Sequence, residues 1–266
     1  MLSGAIHKKN NSSTSIAGVF LAVGALLLVL AVLFDLQIVA FIGLGLTFWG
    51  AIFALTRTGK YVESSLLDGT AKSGYSTIER MINDLKFNAQ GYYIPAYPKD
   101  VVLPDYLKNL KEPVVYISES FDGKPSVDEL VAGKFLSAKT QGIFVTSPGS
   151  GIMAQIEKQL QMDLSKVNLQ ELSEFLPKCL TEIFNLAKTA EMTLMPNGAS
   201  FKATGILYES FYKPENTLKS VSMLGCPVVS AVASALAKAS GKTVVIKEQT
   251  LSPSNCGVYA VFEFIG

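Results

Sequence analysis

The sequence predicts an α+β protein in which an N-terminal two-helix transmembrane hairpin precedes a cytosolic domain with a mainly antiparallel sheet and packed helices. Three observations predict this class. Two long apolar runs lie at the front of the chain. Short β-rich runs bounded by glycine and proline follow them. An alanine-rich helical segment then precedes two strand patterns at the C-terminus.

The hairpin is predicted from two runs that lack charged side chains. Ile16–Phe34 is nineteen residues long, and Ile38–Leu55 follows after a short turn. Each run makes a helix of roughly 28 Å, close to the ~30 Å hydrocarbon thickness of a bilayer. A buried hairpin in a soluble protein is one alternative, but soluble core helices are rarely apolar on every face. A cleaved signal peptide is another, and the second apolar run argues against it.

The charges that flank the hairpin predict its orientation. Lys8 and Lys9 precede the first run, Arg57 and Lys60 follow the second, and the connecting turn carries only Asp35. Because Lys and Arg beside membrane segments stay preferentially on the cytoplasmic side, both termini should be cytoplasmic. The expected localisation is the cell membrane, as a multi-pass protein with two helices, and the lipid bilayer is the first predicted partner.

Small residues recur along both apolar runs, as Ala17, Gly24 and Ala31 in the first and Gly43 and Gly50 in the second. Small side chains let helix backbones approach closely in lipid. We expect these stripes to pack the hairpin against itself, with packing against another subunit as the alternative. Neither run contains an ionisable residue, so the sequence does not indicate a transport pathway.

The residue inventory excludes several function classes. The chain has 23 basic and 22 acidic residues, so its charge gives no footprint for nucleic acid. Its one histidine is His7, which excludes a Ser-His-Asp triad, a Cys-His dyad or a histidine-ligated metal in the soluble domain. The three cysteines, Cys179, Cys226 and Cys256, match no zinc or redox motif. No cofactor and no metal are therefore predicted.

The predicted domain organisation has four parts: a polar cytoplasmic tail at 1–15, the hairpin at 16–55, a juxtamembrane helical linker at 56–90 and a soluble α+β domain at 91–266. The linker contains the helical pattern of Tyr61–Phe87, in which Ser76 ahead of Glu79 resembles a capping box. Three β-rich runs follow, with a short helix before the last one; the strands are Gly91–Ala96, Val114–Ile117 and Gly142–Thr146, and the helix is Val127–Val131.

Helical patterns then alternate with strands to the C-terminus. A helix at Ile152–Met162 precedes a longer one with Asn168 as N-cap, which Pro177 should kink or split. The Asn197-Gly198 dipeptide predicts a β-hairpin turn with positive φ angles. The last helix begins at Cys226-Pro227 and ends at Gly241, and its alanines predict close packing against a sheet. Thr243–Leu251 and Gly257–Ile265 should form the closing antiparallel pair.

Two places carry the residues of a candidate site. The turn Ser147-Pro148-Gly149-Ser150-Gly151 leads from a strand into a helix, where backbone N–H groups and the helix dipole can hold an anion. The phosphate-loop pattern is absent, because no Lys-Ser or Lys-Thr follows Gly151. Cys226 begins a helix, which can lower a thiol pKa, but it has apolar neighbours that raise the pKa and favour a structural role.

The C-terminal part resembles the 4-vinyl reductase type small-molecule-binding domains and their relatives among transport-particle subunits. The likeness lies in Cys226-Pro227 and the alanine-rich helix, the Ser240-Gly241-Lys242 turn and the strand at Tyr259 to Phe264. It implies an α+β fold that binds hydrophobic ligands or serves as a dimeric scaffold at membranes. The paired cysteines of some such domains are not reproduced, so metal binding is not implied. The whole layout also resembles archaeal membrane proteins of uncharacterised function.

The sequence therefore predicts a membrane-anchored cytosolic binding or scaffold module, acting as an accessory subunit of a membrane complex. Its expected ligand is a hydrophobic small molecule or a protein partner, and a homo-oligomer is the further expected assembly. The alternative is a membrane-tethered enzyme that uses Cys226 or an anion site at Ser147 to Gly151. Ser147, Gly149, Ser150, Gly151 and Cys226 are the predicted ligand-binding residues, and no catalytic residue is assigned.

Overall fold

The computed structural model describes residues 12–55, 63–88, 90–97, 111, 113–119, 125–137, 141–213, 218–252 and 257–265. The chain divides into two compact units, Met1–Val62 and Glu63–Gly266, and each is described by itself. The predicted N-terminal tail up to residue 11, the flanking charges Arg57 and Lys60, and Cys256 lie outside the described residues.

The first unit is a pair of apolar helices, α1 (Ser12–Phe34) and α2 (Gln37–Leu55). Both are long and apolar enough to cross a membrane. Their packing depends on small residues, because a Cβ added to Gly24 would lie 2.7 Å from the Thr47 backbone nitrogen, and one on Gly50 would lie 2.9 Å from that of Leu21. Ala17 and Ala31 are buried on the same stripe. The small residues therefore pack this hairpin against itself, as expected.

Within the described residues, the second unit is built on an eight-stranded antiparallel sheet with the strand order β3-β4-β2-β1-β7-β8-β6-β5. This confirms the α+β class and the mainly antiparallel sheet. Its helices are α3 (Ser64–Asp84), α4 (Val127–Val131), α5 (Ser150–Leu160), α6 (Leu169–Lys178), α7 (Lys219–Leu224) and α8 (Pro227–Ser240). Its strands are β1 (Gly91–Ile94), β2 (Val114–Ser118), β3 (Leu136–Ser137), β4 (Gly142–Thr146), β5 (Thr189–Met195), β6 (Gly198–Thr204), β7 (Thr243–Ser252) and β8 (Gly257–Ile265).

Helix α8 occupies the centre of the domain, between the sheet and the other helices. Every residue from Pro227 to Lys238 is buried, because small side chains on all faces allow neighbours to approach from all sides. The segment Lys219–Ser240 is itself apolar enough for a membrane span, but 94% of it is buried inside the domain. The corresponding buried shares for α1 and α2 are 17% and 11%. This contrast separates the core segment from the hairpin.

Burial follows the predicted alternation in the closing strands. Val258, Ala260, Phe262 and Phe264 of β8 face the main core, which lies under the helices. A smaller cluster lies on the opposite face of the sheet, where the short helix α4 covers β1, β2, β4 and β7. The sheet thus has its larger core on one face and a smaller apolar cluster on the other.

The predicted capping box at Ser76 is wrong. Ser76 lies inside α3, and the Glu79 carboxylate accepts hydrogen bonds from the backbone N–H groups of Lys219 (3.2 Å) and Ser220 (2.8 Å). Glu79 therefore caps α7, a helix distant in sequence. Desolvation raises the pKa of Glu79, but these donors outweigh it and hold the pKa below its ordinary value. This contact fastens α3 to the domain core.

The hairpin between β5 and β6 forms at the predicted place by a different mechanism. Its two-residue loop is Pro196-Asn197, and neither Asn197 nor Gly198 has a positive φ. Gly198 is needed because a Cβ there would overlap the Phe262 carbonyl oxygen of β8. Close approach of two strands, not turn geometry, explains this glycine.

The structure of the segment after Asn168 agrees with the predicted helix at its start and differs from it near Pro177. The Asn168 side chain caps α6 as predicted, accepting a hydrogen bond from the Glu171 N–H at 2.8 Å. Pro177 lies within α6 and does not end it; the helix continues to Lys178 and passes into a π-helical turn at Cys179–Ile183. The two-residue strand β3 was not predicted, because it is too short to show alternation.

A buried ion cluster joins α8 to the α5–α6 connection. The Lys238 ammonium lies 2.5 Å from Glu157 Oε1 and 2.8 Å from Asp163 Oδ1, and the three side chains are 2%, 4% and 15% exposed. The Leu164 N–H also donates to Glu157 Oε1 at 3.1 Å. Removing the cation would leave two carboxylates enclosed without their counter-charge.

We expect Lys238→Met to lower the free energy of unfolding by about 3–5 kcal/mol, because it leaves uncompensated buried charge. The matched control is Lys247→Met. Lys247 pairs with Glu263 at 2.8 Å on the surface, with side-chain exposures of 52% and 35%, so its loss should cost less than about 1 kcal/mol. Urea unfolding of the full chain in detergent, followed by the near-ultraviolet circular dichroism of the buried tyrosines, measures both. Equal losses in the two variants would contradict the expectation.

Candidate functional site

The predicted turn at Ser147 to Gly151 joins β4 to α5 and packs directly on α8. Ser147 and Gly149 are buried, Ser150 begins the helix, and Gly151 is exposed. A Cβ on Gly149 would overlap the backbone of Ala231 in α8. The glycine is therefore required by the close approach of the turn to the central helix.

Buried hydroxyl groups connect this turn to α8. The Ser147 Oγ lies 2.6 Å from the Ser234 Oγ and 3.0 Å from the Ser230 Oγ. The Gly149 N–H donates to the Ser230 Oγ at 3.0 Å, and the Tyr93 hydroxyl of β1 lies 2.9 Å from the same atom. Sequence reasoning missed Ser230 and Ser234. The signal was two serines four residues apart in a helix rich in alanine and valine.

These contacts occupy the groups that an anion would use first. The Gly149 N–H is bonded to Ser230, and the Ser150 N–H donates to the Ser147 carbonyl oxygen at 2.9 Å. A bound phosphate would have to displace one of these bonds or use N–H groups further along α5. The N–H groups of Gly149 and Ser150 therefore help to hold the turn and α8 together.

Cys226 lies at the start of α8, as predicted, and is fully buried. Burial raises the pKa of its thiol; the Tyr212 hydroxyl and the N–H groups of Val229 and Val228 offset only part of this effect. The Cys226 N–H donates to the Tyr212 hydroxyl at 3.1 Å. At neutral pH the thiol is therefore protonated and enclosed, the condition of a structural cysteine.

Three tyrosines hold the α7–α8 junction at Leu224, Gly225 and Cys226. The Tyr75 hydroxyl of α3 donates to the Gly225 carbonyl oxygen at 2.6 Å, and the Tyr93 hydroxyl donates to the Leu224 carbonyl oxygen at 2.5 Å. Tyr212, from the 3₁₀ turn Glu209–Tyr212, completes the set. Gly225 has φ +68°, and a Cβ there would overlap the Val229 side chain. Sequence reasoning missed this cluster, because its members are far apart in the chain.

An open groove lies beside the predicted turn, between α3 and the start of α8. We call it the Gly74 groove; its volume is about 290 Å³ and it is lined by Thr70, Ala71, Gly74, Tyr75, Ile78, Thr146, Pro148 and Pro227. A larger cleft of about 600 Å³ lies at the α5–α6 corner. Its lining carries charges of both signs, including Glu157 and Asp163 of the ion cluster. Of the two, the Gly74 groove adjoins the predicted site.

Comparison with known proteins gives a family but no activity. The family described as "Domain of unknown function (DUF7982)" matches residues 4–259. The searches of curated proteins and of solved structures found no match. The resemblance to 4-vinyl reductase type domains and to archaeal membrane proteins gains no support from these comparisons.

The buried tyrosines should make the domain sensitive to alkali. Burial raises the pKa of Tyr75, Tyr93 and Tyr212 above the ordinary value. A tyrosine whose pKa is higher in the folded than in the unfolded chain stabilises the fold at pH values below its unfolded pKa of about 10. This stabilisation is lost as the pH rises from there through the folded pKa. We expect these tyrosines to ionise together with the loss of near-ultraviolet circular dichroism, after the exposed ones.

Phenolate absorbance of the full chain during an alkaline titration measures this release. Tyr97→Phe, which removes an exposed tyrosine, should leave the cooperative step unchanged, whereas Tyr75→Phe should shrink it. Gradual ionisation of every tyrosine before any loss of dichroism would contradict the prediction.

Proposed function

The chain belongs to the DUF7982 family, a domain of unknown function, and from its own geometry we propose that it is a membrane-anchored cytosolic module that binds a protein partner as an accessory subunit of a membrane complex. The Gly74 groove is the observation that carries this proposal. The apolar hairpin supplies the anchor, and the groove supplies a surface on which a partner can dock.

The size and lining of the groove favour a segment of a protein over an enclosed small ligand. Tyr75 and Pro227 are buried and form its floor, while Ile78 and Pro148 are half-buried at its sides. Its volume of about 290 Å³ lies just below the ~300–1,000 Å³ typical of small-molecule pockets. An open groove of this size fits one or two apolar side chains. A hydrophobic small molecule is the alternative occupant.

Glycine within α3 keeps space above the groove open. A Cβ on Gly74 would meet nothing within 4 Å, so no local packing demands a glycine there. A glycine inside a helix costs roughly 1 kcal/mol relative to alanine. A larger side chain at this position would project into the groove, which gives the glycine a role in binding. Gly69 also has open space around it but does not line the groove.

Filling the groove should abolish partner binding without harming the fold. We expect Gly74→Leu to lose the partner and Gly69→Leu to keep it, because both substitutions raise helix propensity on an exposed face of α3 and only the first blocks the groove. A photo-crosslinking amino acid at Thr146, which lines the groove, reports occupancy in intact cells. Covalent adducts of defined protein mass should disappear in the Gly74→Leu variant alone.

Three other results would count against this proposal. Adducts that persist in Gly74→Leu would place the partner elsewhere. Adducts lost equally in Gly69→Leu would indicate an effect on α3 itself. A lipid-sized adduct, or an apolar molecule that co-purifies with the wild-type chain and not with Gly74→Leu, would identify the small-molecule alternative.

The orientation of the hairpin is part of the same proposal. The charges that flank the two helices favour cytoplasmic termini, and with that orientation the turn between α1 and α2 would face outward. Asp35 in this turn is exposed and has φ 52°. A domain on the cytoplasmic side would meet cytosolic partners.

A thiol-labelling experiment tests this orientation. In a Cys256→Ser background, Asp35→Cys should react in intact cells with a membrane-impermeant maleimide, because the turn is outside. Ser64→Cys, at the exposed start of α3, should react only after the membrane is permeabilised. The reversed pattern would overturn the orientation, and labelling of both in sealed cells with an unlabelled cytosolic control would show that the hairpin does not span.

The enzyme alternative depends on Cys226 or on the turn at Ser147. The Cys226 thiol is fully buried with a raised pKa, and a nucleophile needs access and a thiolate. The Ser147 hydroxyl is buried among other serine hydroxyls. These surroundings favour binding over catalysis.

A further inference from the structure

The two edges of the eight-stranded sheet are unlike each other. β3, at one edge, is two residues long, and short edge strands resist pairing with other chains. β5, at the other edge, is seven residues long and pairs with β6 in continuous register without a bulge. It contains no proline and no lysine, the usual residues that block an edge.

The backbone groups of β5 that face outward follow from its hairpin. Met195 and Gly198 close a two-residue loop, so they form a hydrogen-bonded pair. Because bonding alternates along the strand, Ala190, Met192 and Leu194 direct their N–H and C=O groups away from β6. In the part of the chain that the structure describes, no backbone bond beyond the β5–β6 ladder engages these three residues.

We propose that this edge pairs with the same edge of a second copy, so that one antiparallel sheet runs through both chains. A two-fold axis perpendicular to the sheet keeps each side chain on its own face, and it must therefore pass midway between one residue and the same residue of the second copy. Centred on Met192, it places Ala190 opposite Leu194 and Glu191 opposite Thr193. The three outward-facing residues then satisfy one another's backbone groups.

The side chains of β5 suit this register. Ala190, Met192 and Leu194 are half-buried against the main core, and the two strands would join them into one apolar row. Glu191 would meet Thr193 of the other copy and not a second Glu191. Its own cross-strand neighbour is Lys202 of β6, which balances its charge. No like charges oppose each other across the new interface.

A second copy is favoured over a foreign strand by this self-complementarity and by the anchor. Two apolar helices on each chain would confine copies to one membrane surface, where a weak pairing gains from a high effective concentration. The inference concerns assembly and does not depend on what occupies the Gly74 groove.

Disulfide trapping tests the register. Glu191 and Thr193 would form a non-hydrogen-bonded pair with Cα atoms ~4.5 Å apart, a spacing that a disulfide can bridge. Full-length Glu191→Cys and Thr193→Cys chains, each with Cys256→Ser and different tags, are co-expressed and mildly oxidised in membranes. We expect a disulfide between the two tags and little dimer when either chain is expressed alone. Equal trapping in all three samples, or none, overturns the register.

Charge variants at one exposed position test the energetics. Thr193→Glu would place like charges opposite each other at two symmetric places, and we expect a dissociation constant roughly fivefold or more higher. Thr193→Lys would face Glu191 and should keep or tighten the dimer. Energy transfer between labelled full chains, diluted stepwise in liposomes, measures both. A monomeric wild type would overturn the proposal, and so would equal behaviour of the two variants. Association that survives unchanged in both variants would indicate pairing through the hairpin alone and would also overturn it.

Discussion

The domain depends on the start of α8 being buried. Where one helix ends and the next begins inside a protein, the last C=O groups of the first and the first N–H groups of the second are cut off from water and need partners. Here the hydroxyl groups of Tyr93 and Tyr75 donate to the carbonyl oxygens of Leu224 and Gly225 at the end of α7, and the Tyr212 hydroxyl accepts from the Cys226 N–H at the start of α8. Because these tyrosines come from α3, β1 and a 3₁₀ turn, one junction fixes the relative positions of three separate segments.

The residues that look most reactive in the sequence are part of this arrangement. Ser147, Gly149 and Cys226 all come together at the N-terminal end of α8, where they contact the helix instead of solvent. A turn rich in glycine and serine is needed wherever backbone must approach backbone and leave no polar group unpaired. The same composition serves phosphate binding in other proteins, so composition alone does not separate the two uses.

Sequence periodicity predicted most of the fold because it reports local burial. The alternation in β8 and the alanine-rich α8 were recognised since each pattern is complete within one element. The predictions at Ser76 and Asn197 were wrong because the contacts that decide their structure come from elements distant in sequence. The partner of Glu79 is α7, and the constraint on Gly198 is the carbonyl of Phe262. The Gly74 groove could not be predicted either, because α3, the β4–α5 turn and α8 line it together.

The apolar segment Lys219–Ser240 also bears on how the protein is made. β7 and β8 follow α8 in the chain, so the helix is synthesised before two of the strands that cover it. During that interval the chain presents a third segment that is long and apolar enough to span a membrane, after α1 and α2. Lys238 finds its partners Glu157 and Asp163 only within the folded domain, whereas in lipid its charge would be exposed to hydrocarbon. The charge of Lys238 therefore disfavours insertion of this segment into a bilayer and favours its burial in the protein core.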